Sequence, residues 1–194
     1  MKNKDRLNLY RQVEKELKYS RFIHTMGVAF TASSLAERYG ADVKKAETAG
    51  LLHDCAKYIP VAEMEKICEK AGIPVSETER GSAALLHSKA GSVLARTKYG
   101  IDDPEITDAI RYHTTGRPDM TLLDKIIFIA DYIEPGRDTA PNLDKIRAAA
   151  FQGSSINEAL VMILRDTLNY LGKSGAAVDP MTRKTYEYYT NPPV

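Results

Sequence analysis

The sequence predicts an all-α, single-domain helical bundle, and three observations carry that reading. Apolar residues recur at helical spacing along most of the chain. Glycines and X-Pro steps punctuate those segments where helices should stop, and Ser or Asp stands where several should start. Alternating strands joined by Asn-Gly turns are absent, and no repeat, low-complexity tract or linker divides the 194 residues.

The elements follow in order. Residues 4–19 carry Leu7, Leu9, Val13 and Leu17 among charges, a loose helical stripe. Ser20 is expected to cap a helix over 21–39 that ends at Gly40. Asp42 caps a third through LLHDCAKY, stopped by Ile59–Pro60, and 60–71 forms a short fourth. Residues 72–83 lack an apolar period and read as a surface loop. Helices resume over 84–99 and 103–114, the latter with Asp102 or Asp103 as cap and Pro104 in its first turn. Residues 121–133 follow, although IIFIA fits a buried strand by periodicity alone. Pro141 opens a helix over NLDKIRAAAF, and 155–171 is the cleanest amphipathic helix. A small-residue loop over 172–180 and a Tyr-rich helix over 182–190 complete the chain.

Composition narrows the function. Hydrophobic residues at 43% and charged residues at 27% are an ordinary globular mix. A formal charge of +1 gives no field for a DNA or RNA duplex. Two cysteines, Cys55 and Cys68, are too few for a disulfide scaffold. No signal-peptide pattern opens the chain, and the apolar run Ile126–Ala130 is too short for a bilayer. A soluble cytoplasmic protein without a membrane partner is expected.

The chemistry is concentrated in four histidines, His24, His53, His87 and His113, each within or at the end of a helical segment. His53 is followed directly by Asp54, inside the small-residue helix AETAGLLHDCAK. Asp131 follows the most apolar run of the chain, where a carboxylate is costly to bury unless paired or metal-bound. Taken alone, it reads equally well as a helix-terminal side chain in water. One histidine is more often a hydrogen-bonded residue than a ligand. The ordered set on separate segments is what points to a metal. Imidazole and carboxylate without cysteine suit iron, manganese or zinc.

The stretches SRFIHTMGVAFTASSLAERYG, AGLLHDCAKYIP, LLHSKAGSVLA, AIRYHTTGRPDM and KIIFIADYIEPGR resemble the HD-domain superfamily of metal-dependent phosphohydrolases. The match is closer still to its YqeK family of symmetrical diadenosine tetraphosphate hydrolases. It runs over about 20–150, with 155–190 expected to pack on that core, so 1–194 would be one HD-type domain.

The resemblance implies that His24, His53, Asp54 and Asp131 hold the catalytic metal, iron first, with manganese or zinc as alternatives. His87 and His113 bind a second ion or face the phosphates. Asp54, Lys57, His87 and His113 form the catalytic set. Lys57, three residues after Asp54, points to the same face and can neutralise a phosphate; a surface lysine favoured by the helix dipole is the alternative. Arg137, after the break at Glu134–Pro135–Gly136, is similar to a polyphosphate clamp in the family, although a loop arginine is often simply solvated. Arg21, one turn before His24, can reach the same crevice. Thr114 lies in a loop that can line the pocket. Ser174, Gly175 and Ala176 let backbone approach a nucleotide, or form a plain linker. The Tyr-rich end stacks a base, covers the core or makes a homodimer contact.

The activity implied is attack of a metal-activated water on an inner phosphorus, giving two ADP. The alternatives are another HD nucleotidase or phosphodiesterase, di-iron oxygenase chemistry, and a non-catalytic module that binds nucleotides through its metal.

Overall fold

A computed structural model describes residues 3–191, in which ten α-helices and no strand follow one another. They are α1 (Asn3–Glu16), α2 (Tyr19–Tyr39), α3 (Val43–Leu52), α4 (Val61–Lys70) and α5 (Ala83–Thr97). After them come α6 (Pro104–Tyr112), α7 (Leu122–Ile133), α8 (Leu143–Gln152), α9 (Ile156–Ser174) and α10 (Pro180–Thr190).

The most apolar segment forms the centre. Ile126, Ile127, Ile129 and Ala130 of α7 are fully buried, and α2, α3, α6 and α9 pack around them. IIFIA is helical because the Thr121 side chain accepts the Asp124 N–H while the Asp124 carboxylate accepts the Thr121 N–H. This reciprocal cap satisfies two otherwise orphaned donors at the helix start. With helices on every side, nothing offers the backbone a strand partner.

The tightest approach joins α2 to α3. A Cβ on Gly50 would lie 2.8 Å from Ala29 Cα, so the two backbones touch where no side chain intervenes. Arg6 and Tyr10 of α1 hold Glu47 on the far side of α3. At the other end, Tyr186 and Tyr189 pack on the core, and the Tyr189 hydroxyl accepts the Met120 N–H at 2.7 Å. Core packing is thus the role visible for these two tyrosines.

Several boundaries move from their sequence positions. Helix α2 opens at Tyr19 with Lys18 at its cap, because the Phe22 N–H already bonds the Lys18 carbonyl at 2.9 Å; Ser20 lies in the first turn. Helix α3 stops at Leu52 rather than running to Tyr58. Residues 53–58 continue as tight turns, with the N–H groups of Cys55, Lys57 and Ile59 bonding carbonyls three residues back. Helix α8 starts after Asn142, whose φ of 52° breaks the path from Pro141. Helix α9 reaches Ser174, and α10 begins at Pro180 under an Asp179 cap, so the loop expected over 172–180 shrinks to 175–179. No helix among the described residues is long and apolar enough to cross a membrane.

Candidate metal centre

The six residues singled out by their order converge at one point. His24 comes from α2, His53 from the C-cap of α3, and Asp54 from the turn that follows. His87 lies in α5, His113 closes α6, and Asp131 lies in the last turn of α7. The imidazoles form a row, with centroids 5.4 Å apart for His24–His53, 5.1 Å for His53–His113 and 5.0 Å for His113–His87. Ending α3 at Leu52 matters here. The tightened turn lets neighbouring residues face one crevice, which a continuing α-helix would splay by about 100°.

Each ring is held from behind. His53 Nδ1 lies 2.7 Å from the Gly50 carbonyl, His87 Nδ1 2.9 Å from the Ala83 carbonyl, and His113 Nδ1 2.7 Å from the Ile110 carbonyl. A carbonyl only accepts, so each Nδ1 carries the proton and each Nε2 of a neutral ring presents a lone pair. His24 Nδ1 faces a carboxylate instead, Glu134 Oε1 at 3.0 Å.

The lone pairs of His24, His53 and His113 meet other acceptors, while His87 Nε2 also accepts from Lys57 Nζ at 3.2 Å. His24 Nε2 is 3.0 Å from Asp131 Oδ1, and His87 Nε2 is 3.0 Å from Asp54 Oδ1. His53 Nε2 lies 3.4 Å from Asp54 Oδ2 and 3.8 Å from Asp131 Oδ1, while His113 Nε2 lies 3.1 Å from His87 Nε2. His24 Nε2, His53 Nε2 and Asp54 Oδ1 are buried without a hydrogen-bond partner. Acceptors aimed at acceptors in a buried crevice are unfavourable unless a cation sits among them. Two ligand sets satisfy that need, His24–His53–Asp131 and His53–Asp54–His113, each with its atoms within 4.8 Å of one another. The residues present fit a metal.

Electrostatics agree. Burial would raise the Asp54 carboxyl, but the neighbouring His53, and after it His87, hold it well below the usual range. Burial also opposes ionisation of Asp131, and the His24 contact and His53 charge overcome it. Burial depresses His53, yet Asp54 beside it raises it above its ordinary value. His113 goes the other way: burial, then His87 and His53, push it down to about 3.

The depressed His113 gives a pH expectation for metal-free protein. As pH falls below about 6.5, the unfolded chain protonates this ring and the folded one does not, so stability falls with pH. The raised His53 acts with the opposite sign and partly offsets it. The wild type minus His113→Asn difference in unfolding free energy isolates the term. It should shrink by about 1 kcal/mol per pH unit between pH 6.5 and 4, read by urea denaturation. A flat difference contradicts a neutral buried His113.

Three cations surround the carboxylates. Arg21 Nη1 donates to Asp54 Oδ2 at 3.0 Å, Lys57 Nζ lies 3.4 Å from Asp54 Oδ1, and Arg137 Nη2 donates to Asp131 Oδ1 at 3.0 Å. A cleft of about 530 Å³ opens above them; Lys57, His87, His113, Thr114, Asp131 and Arg137 line its floor. That volume suits a nucleotide-sized ligand. Phe128, Tyr132, Ile163 and Leu171 form an apolar wall. Ala176 lines the cleft, but Ser174 and Gly175 do not. Helix α9 continues through Ser174, whose hydroxyl bonds the Leu171 carbonyl at 3.1 Å, and Gly175 ends it in the left-handed region at φ 69°.

Sequence reasoning missed two features. The segment read as a plain surface loop contributes Thr78 and Ser82 to the cleft, and it gives no periodic signal. Glu134 was read only as part of a helix break. Its spacing of three from Asp131, on the same helical face, was the available clue.

Comparison with known proteins agrees with this geometry. The HD domain family model matches residues 21–136. A Bacillus subtilis protein named symmetrical bis(5'-nucleosyl)-tetraphosphatase is 43% identical over 176 residues, covering 91% of this chain and 92% of the relative. A Halalkalibacterium halodurans protein of the same name is 40% identical over 174 residues, covering 90% and 91%. The crystal structure of a Clostridium acetobutylicum protein, described as a predicted HD superfamily hydrolase involved in NAD metabolism, superposes with a TM-score of 0.89. It is 39% identical, with 94% of this chain and 95% of that chain covered. The His/Asp cluster is therefore a divalent-metal-binding site, and the chain belongs to the HD-domain family, in the branch that holds the symmetrical bis(5'-nucleosyl)-tetraphosphatases.

Proposed function

We propose that the protein is a cytoplasmic metal-dependent hydrolase that splits diadenosine tetraphosphate symmetrically into two ADP. One observation carries the reading: His87, His113 and Asp131 of the His/Asp cluster line a nucleotide-sized cleft in a chain 43% identical to a named symmetrical tetraphosphatase. Two buried, unpaired thiols, Cys55 and Cys68, suit a reducing compartment. A core drawing on α1 to α3 and α5 to α9 supports treating residues 1–194 as one domain.

In this reading His24, His53, Asp54 and Asp131 hold the metal, iron first, with manganese or zinc as alternatives. The metal supplies Lewis acidity toward phosphate oxygen and activation of water. His87 and His113 have their Nδ1 protons engaged on backbone carbonyls, so their neutral rings have no proton to donate inward. That favours a second ion over direct phosphate contacts for this pair. Asp54 suits a bridge, since Oδ2 faces His53 and Arg21 while Oδ1 faces His87 and Lys57.

Lys57 and Arg137 lie on the cleft side of the carboxylates and take the phosphate charge. Their partners, Asp54 and His87 for Lys57 and Asp131 for Arg137, are residues that would hold metal, which would leave both cations to meet phosphate. The departing ADP is a weak base. Fixed positive charge therefore matters more than a proton donor. Arg21, on Asp54 and outside the cleft lining, orients that carboxylate more directly than it meets substrate. Thr114, held by Ser88 at 3.1 Å, and Ala176 flank the nucleotide; Ser174 and Gly175 have no part in the cleft.

Incubation with diadenosine tetraphosphate and chromatography of the products tests the reaction. Two ADP are expected; AMP with ATP would mean attack at an outer phosphorus and overturn it. Lys57→Ala should keep wild-type metal content while turnover falls by about 100-fold, the scale of losing one preorganised charge-stabilising donor. Full turnover in that variant removes Lys57 from the mechanism.

A further inference from the structure

Glu134 ends α7 only 3% exposed, one turn beyond Asp131, and belongs to neither ligand set. Its two oxygens have different partners. Oε1 lies 3.0 Å from His24 Nδ1, and Oε2 accepts the Gly136 N–H at 2.6 Å. Only a carboxylate accepts on both atoms; a glutamine in the same place turns an NH₂ toward one of the two donors.

The surroundings are shaped around this group. A Cβ on Gly27, three residues after His24, would lie 2.4 Å from Glu134 Oε2, and one on Gly136 would lie 3.0 Å from it. Both positions leave the carboxylate its space. From outside, Arg147 of α8 donates to three backbone carbonyls, those of Ile133 at 3.1 Å, Glu134 at 3.0 Å and Arg137 at 2.9 Å. The carboxylate is thus fixed by its own bonds and by a clamp on the chain that carries it.

Among the four histidines, only His24 has a charged acceptor behind Nδ1; the other three have backbone carbonyls. A carboxylate behind an imidazole fixes the tautomer and the ring plane, and makes the opposite nitrogen a better metal donor. We infer that Glu134 is a positioning residue of the metal centre, which locks His24 with Nε2 directed at Asp131 and strengthens it as a ligand. This rests on the reading of His24 as a ligand. Glu134 touches neither substrate nor metal in this role and acts through His24 alone.

The test uses the full chain stripped of metal and titrated with Mn²⁺ by isothermal calorimetry, beside turnover and thermal unfolding. Glu134→Gln keeps the size of the side chain, and Gly27→Ala keeps every polar group while forcing the carboxylate to move. Both are expected to bind Mn²⁺ about 10–100-fold more weakly, the usual cost of losing such an outer partner. At saturating Mn²⁺, kcat should fall while KM for diadenosine tetraphosphate stays near wild type. A purely structural Glu134 gives a lower Tm with unchanged Mn²⁺ affinity in both folded variants, which overturns the inference alone. Absence of Mn²⁺ binding by wild type overturns the metal reading and this inference together. Should Glu134→Gln not fold, Gly27→Ala decides the matter by the same measurements.

Discussion

Asp54→Asn is expected to fold, to lose its metal and to be inactive on diadenosine tetraphosphate. Asp54 is 1% exposed and meets both ends of the imidazole row, His24 Nε2 at 3.9 Å and His87 Nε2 at 3.0 Å. Asparagine has its shape, so no cavity forms. The amide NH₂ can even donate to the His87 Nε2 lone pair, which in the wild type faces Oδ1 at 3.0 Å. What disappears is the negative charge that draws a cation into the crevice. Losing an outer partner costs roughly 10–100-fold in metal affinity, and loss of a charged ligand itself should cost more than that. Two measurements check this: metal content of freshly purified protein, and the shift of Tm on adding metal. A metal that binds only the folded chain raises wild-type stability by RT ln(1 + [L]/Kd), and the variant should show no such rise. Wild-type metal content and turnover in Asp54→Asn would remove the cluster from the chemistry altogether.

The parts of this site that were legible in the sequence are those with a local signature. His24, His53–Asp54, His87, His113 and Asp131 stood out because rare residue types recurred in order at helix ends and in apolar runs. Asp42 and Asp103 mark two helix starts, since each side chain accepts from a backbone donor two residues away. What was not legible depends on contacts distant in the chain. Glu134 acquires its role only when α2 brings His24 within 3.0 Å, across 110 positions. Thr78 and Ser82 line the cleft because their segment is held by Asp179, whose carboxylate accepts from Thr78 at 3.0 Å. Ser174 and Gly175 lie outside the cleft lining because α9 runs on past Leu171, with Ser174 in its last turn and Gly175 at its left-handed end. The apolar stripe of α9 packs on the core, and Ile163 lines the cleft as well, since one surface can serve both.

Gly50→Val should destabilise the fold and weaken the metal centre together, because one close approach supports both. The nearest atoms to a Cβ at this position are backbone: Ala29 Cα at 2.8 Å, Ala29 N at 3.1 Å and the Val28 carbonyl carbon at 3.3 Å. No rotamer change relieves such a clash, so α2 must move away from α3. Replacing glycine within a helix favours the helix by up to about 1 kcal/mol, but overpacking a well-filled core costs typically 1–3 kcal/mol, occasionally more. A valine here also pushes two methyl groups into the backbone of α2, so the loss should dominate. The same displacement reaches the metal centre through two links. Helix α2 carries His24, and the Gly50 carbonyl anchors His53 Nδ1 at 2.7 Å. Separating the helices widens the 5.4 Å spacing between the two rings and pulls His24 Nε2 from Asp131. Thermal unfolding and Mn²⁺ calorimetry on Gly50→Val should therefore show a lower Tm and weaker binding in the same sample, with Gly50→Ala between it and wild type. Wild-type values for both quantities in Gly50→Val would mean that the helices tolerate separation and that the imidazole row is positioned by other contacts.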